Sequence, residues 1–232
     1  MEKSNIHEKI KLLTGNGMWH TQEVEGLPSV HLSDGPHGLR KQEEKERQNN
    51  VSLVSTCYPT ASALACSWDV TAAERLGRAV AKEAWNADVA VLLGPGINMK
   101  RSPLCGRNFE YFSEDPFLAG RLGAAYVSAA QGEDVAVSLK HFAANNQETN
   151  RQTANSQIDE RALREIYLSA FEYVVKTARP ATIMASYNRL NGYYACENRH
   201  LLTEILREEW GFDGVVISCL LYTSPSPRDR QK

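Results

Sequence analysis

The features that mark a nucleic-acid or membrane protein are missing from this sequence. Lys and Arg number 26 against 28 Asp and Glu, a net charge of -2, so there is no basic field to hold a polyanion and no polybasic anchor for a membrane surface. The opening stretch MEKSNIHEKIKLLTGNG is broken by charges every few residues. It has neither the apolar centre of a secretory signal nor the length to cross a bilayer, which makes the cytoplasm the expected location. The 5 cysteines form no C-x-x-C pair, and their wide spacing in a chain without a signal argues for reduced thiols rather than disulfides or a zinc site. The turn Gly94-Pro95-Gly96 is no dinucleotide fingerprint, because the third glycine of that motif falls on Met99 and Pro95 breaks its geometry. No cofactor and no metal is expected. The partner left by these exclusions is a small neutral molecule.

What is present is an ordinary globular composition, 42% hydrophobic and 23% charged over 232 residues, enough for one large domain or two small ones. The hydrophobic period keeps switching along the chain. Short apolar or β-rich runs stand at 29–33, 61–65, 89–93, 135–139, 182–186 and 214–218, and helix-like stretches lie between them. The clearest helix begins at Asp159, placed to cap its first turn, and carries Leu163, Ile166, Tyr167, Ala170, Phe171, Val174 and Val175 on one face before it stops ahead of Pro180. A second helix places Leu76, Val80 and Ala84 four apart, and a third ends at Gly211.

Short strands alternating with helices predict an α/β fold with a parallel sheet. Polar groups gather at the carboxyl ends of several runs: Asp34, Arg101 and Arg107, Lys140-His141, and Tyr187-Asn188. Functional groups contributed by many strand ends favour a (β/α)8 barrel over a doubly wound sheet. Six strand candidates make that barrel incomplete. Taken singly, these residues have ordinary readings: Asp-Gly-Pro is a turn, Lys140-His141 a surface pair, Met184 core, Tyr187 packing, and Arg107 a partner of Glu110 or Asp115. The charged run KQEEKERQNN at 41–50 reads as a solvated loop with no ligand.

Five blocks in order change the weighing: SDGPHGLR (33–40), LGPGINMKRSPLCGRNFEYFSEDPFLAG (93–120), KHFAANNQETNR (140–151), IMASYNRLNG (183–192) and EWGFDGVVIS (209–218). Together they resemble the N-terminal barrel domain of family 3 glycoside hydrolases, β-glucosidase branch, and the resemblance covers residues 4–218. It implies retaining hydrolysis of terminal non-reducing β-D-glucosyl residues by two carboxyl groups ~5–5.5 Å apart. By the same resemblance Asp34 would accept from the outer sugar hydroxyls, and Arg40 would orient Asp34 or touch the sugar. Arg107, Lys140 and His141 would donate to hydroxyls nearer the reacting carbon. Met184 and Tyr187 would supply an apolar wall and a phenol, while Glu110 and Glu114 would hold loop cations.

In that family the strand written here as GVVIS (214–218) runs straight into the nucleophilic aspartate, usually within Ser-Asp-Trp, whereas this sequence has Cys219. The residues CLLYTSPSPRD (219–229) resemble the translation of an adapter used in DNA sequencing libraries. The expected division is therefore a partial barrel domain over 1–218 and a non-native, disordered tail over 219–232. Nucleophile and acid/base would both be missing, and the chain would be inactive, with open sheet edges that invite aggregation. The expected ligand is a β-glucoside or oligosaccharide. Two alternatives stay open: a carbohydrate-binding fragment without catalysis, and β-xylosidase or broader β-glycosidase specificity, since a hydroxymethyl group is discriminated by only ~1–3 kcal/mol. N-acetylhexosaminidase specificity is disfavoured because KHFAANNQE lacks the Pro-Gly-His-Gly loop of that branch.

Overall fold

The computed structural model describes residues 6–42 and 51–219. Most of the solvated run read at 41–50, and all but Cys219 of the expected tail, lie outside the described residues. Among the described residues the strands are β1 (Leu32–Asp34), β2 (Val91–Leu93), β3 (Ala136–Phe142), β4 (Asn155–Ser156), β5 (Thr182–Ala185), β6 (Arg189–Leu190), β7 (Tyr193–Tyr194) and β8 (Val215–Ser218). The helices are α1 (Ile6–Leu12), α2 (Ala61–Ala65), α3 (Val70–Asn86), α4 (Pro116–Gln131), α5 (Glu160–Ala162) and α6 (Ser169–Ala178), with a π-helix at His200–Glu209.

Five strands form one all-parallel sheet in the order β1-β2-β3-β5-β8. Each strand lies beside the one before it, with helices in the connections, and the order never reverses. A doubly wound sheet has a reversal point; an unreversed series is the arc of a (β/α) barrel. Strands β4, β6 and β7 make a small separate sheet. It is built from the loops that follow β3 and β5, so it sits at the carboxyl end of the main sheet.

One expected strand is absent. Residues 61–65 (ASALA) form helix α2, and the parallel sheet has five strands rather than six. Alanine carries the highest helix propensity, and Thr60 accepts from the Ala63 N–H at 3.3 Å, satisfying an otherwise orphaned donor at the helix start. A short apolar run cannot be assigned by period alone, and here the capping residue decides.

The helix beginning at Asp159 forms as expected, with the Asp159 carboxylate accepting from Ala162 N at 2.9 Å. Residues Leu163–Leu168 between α5 and α6 are wound as a π-helix, which shifts the buried stripe by a residue. Leu163, Tyr167 and Leu168 are buried, whereas Ile166 faces solvent. Leu76, Val80 and Ala84 of α3 join Leu122 and Val127 of α4 and Phe171 and Val174 of α6 in one core with Leu92, Val137, Leu139 and Ile183 of the sheet. Fully burying each large side chain contributes about 1.5–3 kcal/mol. Because the helices seal that face, the alternate residues Ser138, Lys140 and Met184, also buried, belong to the opposite face. Among the described residues no helix is long and apolar enough to cross a membrane.

Candidate functional site

The carboxyl ends of β1, β3 and β5 and the loop after β2 converge on one cluster of charges. Asp34 closes β1, and the next residue, Gly35, has φ 109; a Cβ there would lie 2.0 Å from the Gly38 carbonyl oxygen. Only glycine admits the tight turn that leaves Asp34 at the rim. After β2 the chain keeps to the line of β3: Lys140 N–H donates to the Pro95 carbonyl at 3.1 Å and Ile97 N–H to the Lys140 carbonyl at 2.9 Å. That run carries the loop bearing Arg107 and Glu110 over the end of the sheet.

Lys140 is buried and is the hub. Its Nζ donates to Asp34 Oδ1 at 2.9 Å and lies 3.2 Å from Glu110 Oε2. The second oxygen of Glu110 accepts from Arg107 Nε, and Arg107 Nη1 donates to the Tyr187 hydroxyl at 3.4 Å. Two cations and two carboxylates balance, which is the condition for holding charge in a low-dielectric site. Burial alone would drive the carboxyls of Asp34 and Glu110 up and Lys140 down. Their mutual attraction overrides it, so both carboxyls titrate below their ordinary range and Lys140 above its own. Arg107 is raised as well, because Glu110 outweighs its burial.

His141, next to Lys140 and also buried, falls where the β3–β5 register slips between Lys140 and Phe142. The Asn98 side chain clamps its backbone on both sides, accepting from His141 N–H at 2.7 Å and donating to its carbonyl at 2.8 Å. Burial, with Arg107 and Lys140 nearby, pushes its pKa well below the ordinary value, so the ring is neutral at pH 7. Met184 pairs in register with Lys140. Tyr187, just past β5, donates to the Glu148 carboxylate, with both oxygens at 2.7 Å.

Of the residues read from the sequence, the structure thus brings together Asp34, Arg107, Lys140, His141, Met184 and Tyr187. Arg40 lies beside Asp34 in an antiparallel bridge. Its backbone N–H donates to the Asp34 carbonyl at 2.9 Å, but its side chain is exposed. Glu110 does hold cations, and one of them is the site lysine. Sequence reasoning missed Tyr111, Asn98, Asn145 and Glu148, which support the cluster from behind. Nothing in their spacing marks them, since each acts through a contact thirty or more positions away. Cys219 continues the ladder beyond β8, its N–H donating to the Ala185 carbonyl at 2.9 Å. Burial raises its thiol above the ordinary range despite Arg107 and Lys140 beside it, so it stands as the neutral thiol. Among the described residues no group of three or more His, Cys, Asp and Glu side chains is placed to hold a metal ion.

Residues 36–223 match the model of the glycosyl hydrolase family 3 N-terminal domain. The chain belongs to that family. It is 52% identical over 222 residues to the thermostable β-glucosidase B of Acetivibrio thermocellus, covering 94% of this chain and 29% of that protein. An exo-α-(1→6)-L-arabinopyranosidase of Bifidobacterium longum is 51% identical over 218 residues, 92% of this chain and 29% of the relative. Among solved structures, β-glucosidase 3B from Thermotoga neapolitana in complex with glucose superposes with a TM-score of 0.90 at 40% identity, over 98% of this chain and 34% of that one. The family 3 β-glucosidase of Bifidobacterium adolescentis gives 0.89 at 48% identity, over 96% and 32%. This family 3 chain therefore spans about a third of the length of the proteins it matches.

Proposed function

We propose that this chain is the glycosyl-binding part of a retaining β-glucosidase acting on terminal non-reducing β-D-glucosyl residues, and that without a carboxylate at position 219 it binds sugar but does not turn it over. The observation that carries the reading is the charge-balanced cluster that joins Asp34 and Lys140, at the ends of β1 and β3, to Glu110 and Arg107 on the loop after β2. A pyranose presents several hydroxyls at fixed angles, each able to donate and accept. Asp34, half-exposed, has carboxylate lone pairs beyond the one Lys140 uses, while Arg107, Lys140 and His141 offer donors. The residues are held in place before the sugar arrives, so little ordering cost falls on binding. The glucose complex of the Thermotoga neapolitana neighbour supports glucose as the ligand class.

In retaining hydrolysis one carboxylate attacks the anomeric carbon while a second carboxyl protonates the leaving oxygen. The backbone at 219 follows the β8 ladder, which is where the family sequence would place the attacking group. A neutral thiol there is not activated for attack. The relatives named as arabinopyranosidases, at 51% and 50% identity, favour a second reading in which the natural sugar is a pentopyranoside lacking the hydroxymethyl group.

Calorimetry on the full chain separates these. Glucose should bind, and Asp34→Ala should weaken it by at least about tenfold, the loss of a charge-assisted hydrogen bond, while no aryl β-glucoside is hydrolysed. L-Arabinopyranose binding more tightly than glucose would move the assignment to the pentopyranoside. No binding of either sugar, or release of aglycone above background, would defeat the reading.

A further inference from the structure

Behind the sugar-facing cluster lies a series of hydrogen bonds that none of the sugar-contact assignments uses. Tyr111, His141 and Asn145 are buried, and Glu148 lies at the rim beside Arg151 at 3.3 Å. The bonds run Glu148 to Tyr187 at 2.7 Å, Tyr187 to Asn145 Nδ2 at 3.5 Å, Asn145 Nδ2 to the Tyr111 hydroxyl at 3.1 Å, and the Tyr111 hydroxyl to His141 Nδ1 at 2.9 Å.

The proton positions follow from the outer end inward. The Tyr187 hydroxyl donates to Glu148, so its single proton is spent there. Tyr187 then accepts from Arg107 Nη1 and from Asn145, so the amide turns its NH2 toward the two phenols and leaves its buried Oδ1 without a hydrogen bond. Tyr111 likewise accepts from that NH2 and must spend its one proton on His141. His141 Nδ1 therefore accepts, and the proton of this neutral ring sits on Nε2. Gly96 lets the phenol lie where this requires, since a Cβ there would meet the Tyr111 ring at 2.8 Å.

We infer that Glu148, Tyr187, Asn145 and Tyr111 act in series as positioning residues that hold His141 as its Nε2–H tautomer, so that the ring offers a donor, never an acceptor, to its ligand. Tyr111 occupies Nδ1, which leaves Nε2 as the ring atom for the ligand. A fixed donor selects a hydroxyl lone pair at one angle. A ring free to exchange tautomers would accept as readily as donate and lose that discrimination. The inference rests on the proposed sugar reading only for the ligand's identity.

The test is the ring nitrogen chemical shifts of the full chain, 15N-labelled at histidine, near pH 7 and without sugar. His141 should show a protonated-type Nε2 and an unprotonated-type Nδ1. In Asn145→Asp the new carboxylate takes the Tyr111 proton, and the tautomer should reverse. In Tyr111→Phe it should become mixed, with glucose affinity down about two- to tenfold, one neutral hydrogen bond. A wild-type ring protonated on Nδ1, or variants that fold and keep the wild-type tautomer, would overturn the proposal. If the variants do not fold, the wild-type shifts decide alone. The two readings fail separately: an Nε2–H ring in a chain that binds no glucose removes the sugar and keeps the series, whereas glucose bound beside an Nδ1–H ring does the reverse.

Discussion

Replacing Lys140 with methionine isolates the electrostatic claim on which the site depends. The substitution keeps the volume and apolar stem but removes the charge shared by Asp34 and Glu110. The Lys140 side chain is 3% exposed and that of Glu110 7%, while that of Asp34 is 36% exposed. Removing one partner of a buried pair costs about 3–5 kcal/mol. Water reaches Asp34, and Arg107 still pairs with Glu110, so the lower end, about 3 kcal/mol at pH 7, is expected. The pH dependence is the sharper readout. In the native chain both carboxyls titrate below their unfolded values of about 4, so their contribution is full above that range and is lost as pH falls through the folded values. Without Lys140 the burial penalty is uncompensated and the carboxyl pKa values rise, so stability falls as pH climbs through them. The gap between wild type and Lys140→Met in urea midpoint should thus be widest at pH 7 and narrow steadily toward pH 4. A gap independent of pH, or none, would refute the account of Lys140 as the counter-charge of the cluster.

Two further outcomes follow from individual placements. Arg40→Ala should change stability by no more than about 0.5 kcal/mol, as an exposed substitution does, and should lower glucose affinity, since its backbone bond to Asp34 sets the exposed guanidinium beside the cluster; calorimetry showing unchanged affinity would confine its role to that backbone bond. In a Cys57→Ser, Cys66→Ser background, which removes the two exposed thiols, Cys219 should react slowly with a disulfide reagent until pH passes the ordinary thiol range, because its pKa is raised. Rapid reaction at pH 7 would show a thiolate stabilised by Arg107.

Much of the architecture was legible because it is written in local patterns. The stripe on α3, the Asp159 cap and the polar residues closing β1 and β3 all depend on neighbours within a few positions. Two local signals misled. The ASALA run has no period that separates strand from helix, and Thr60 resolved it only as a cap. The π-wound stretch at Leu163–Leu168 moved Ile166 out of a stripe that α-helical spacing would have buried. For the site, the family resemblance named the groups at strand ends, but it did not reveal what stands behind His141.

The sequence by itself determined the alternation of strands and helices, the family, and the residue types offered at the strand ends, since each is a property of short segments. Tertiary structure alone decided that Lys140 would find Asp34 106 positions away, that Glu110 would face inward between two cations, and that Tyr111 and Asn145 would set the state of a histidine. Pairings of that kind depend on which strand ends the parallel sheet brings side by side, and charge balance in a largely buried site is a condition on the whole group that no single segment carries.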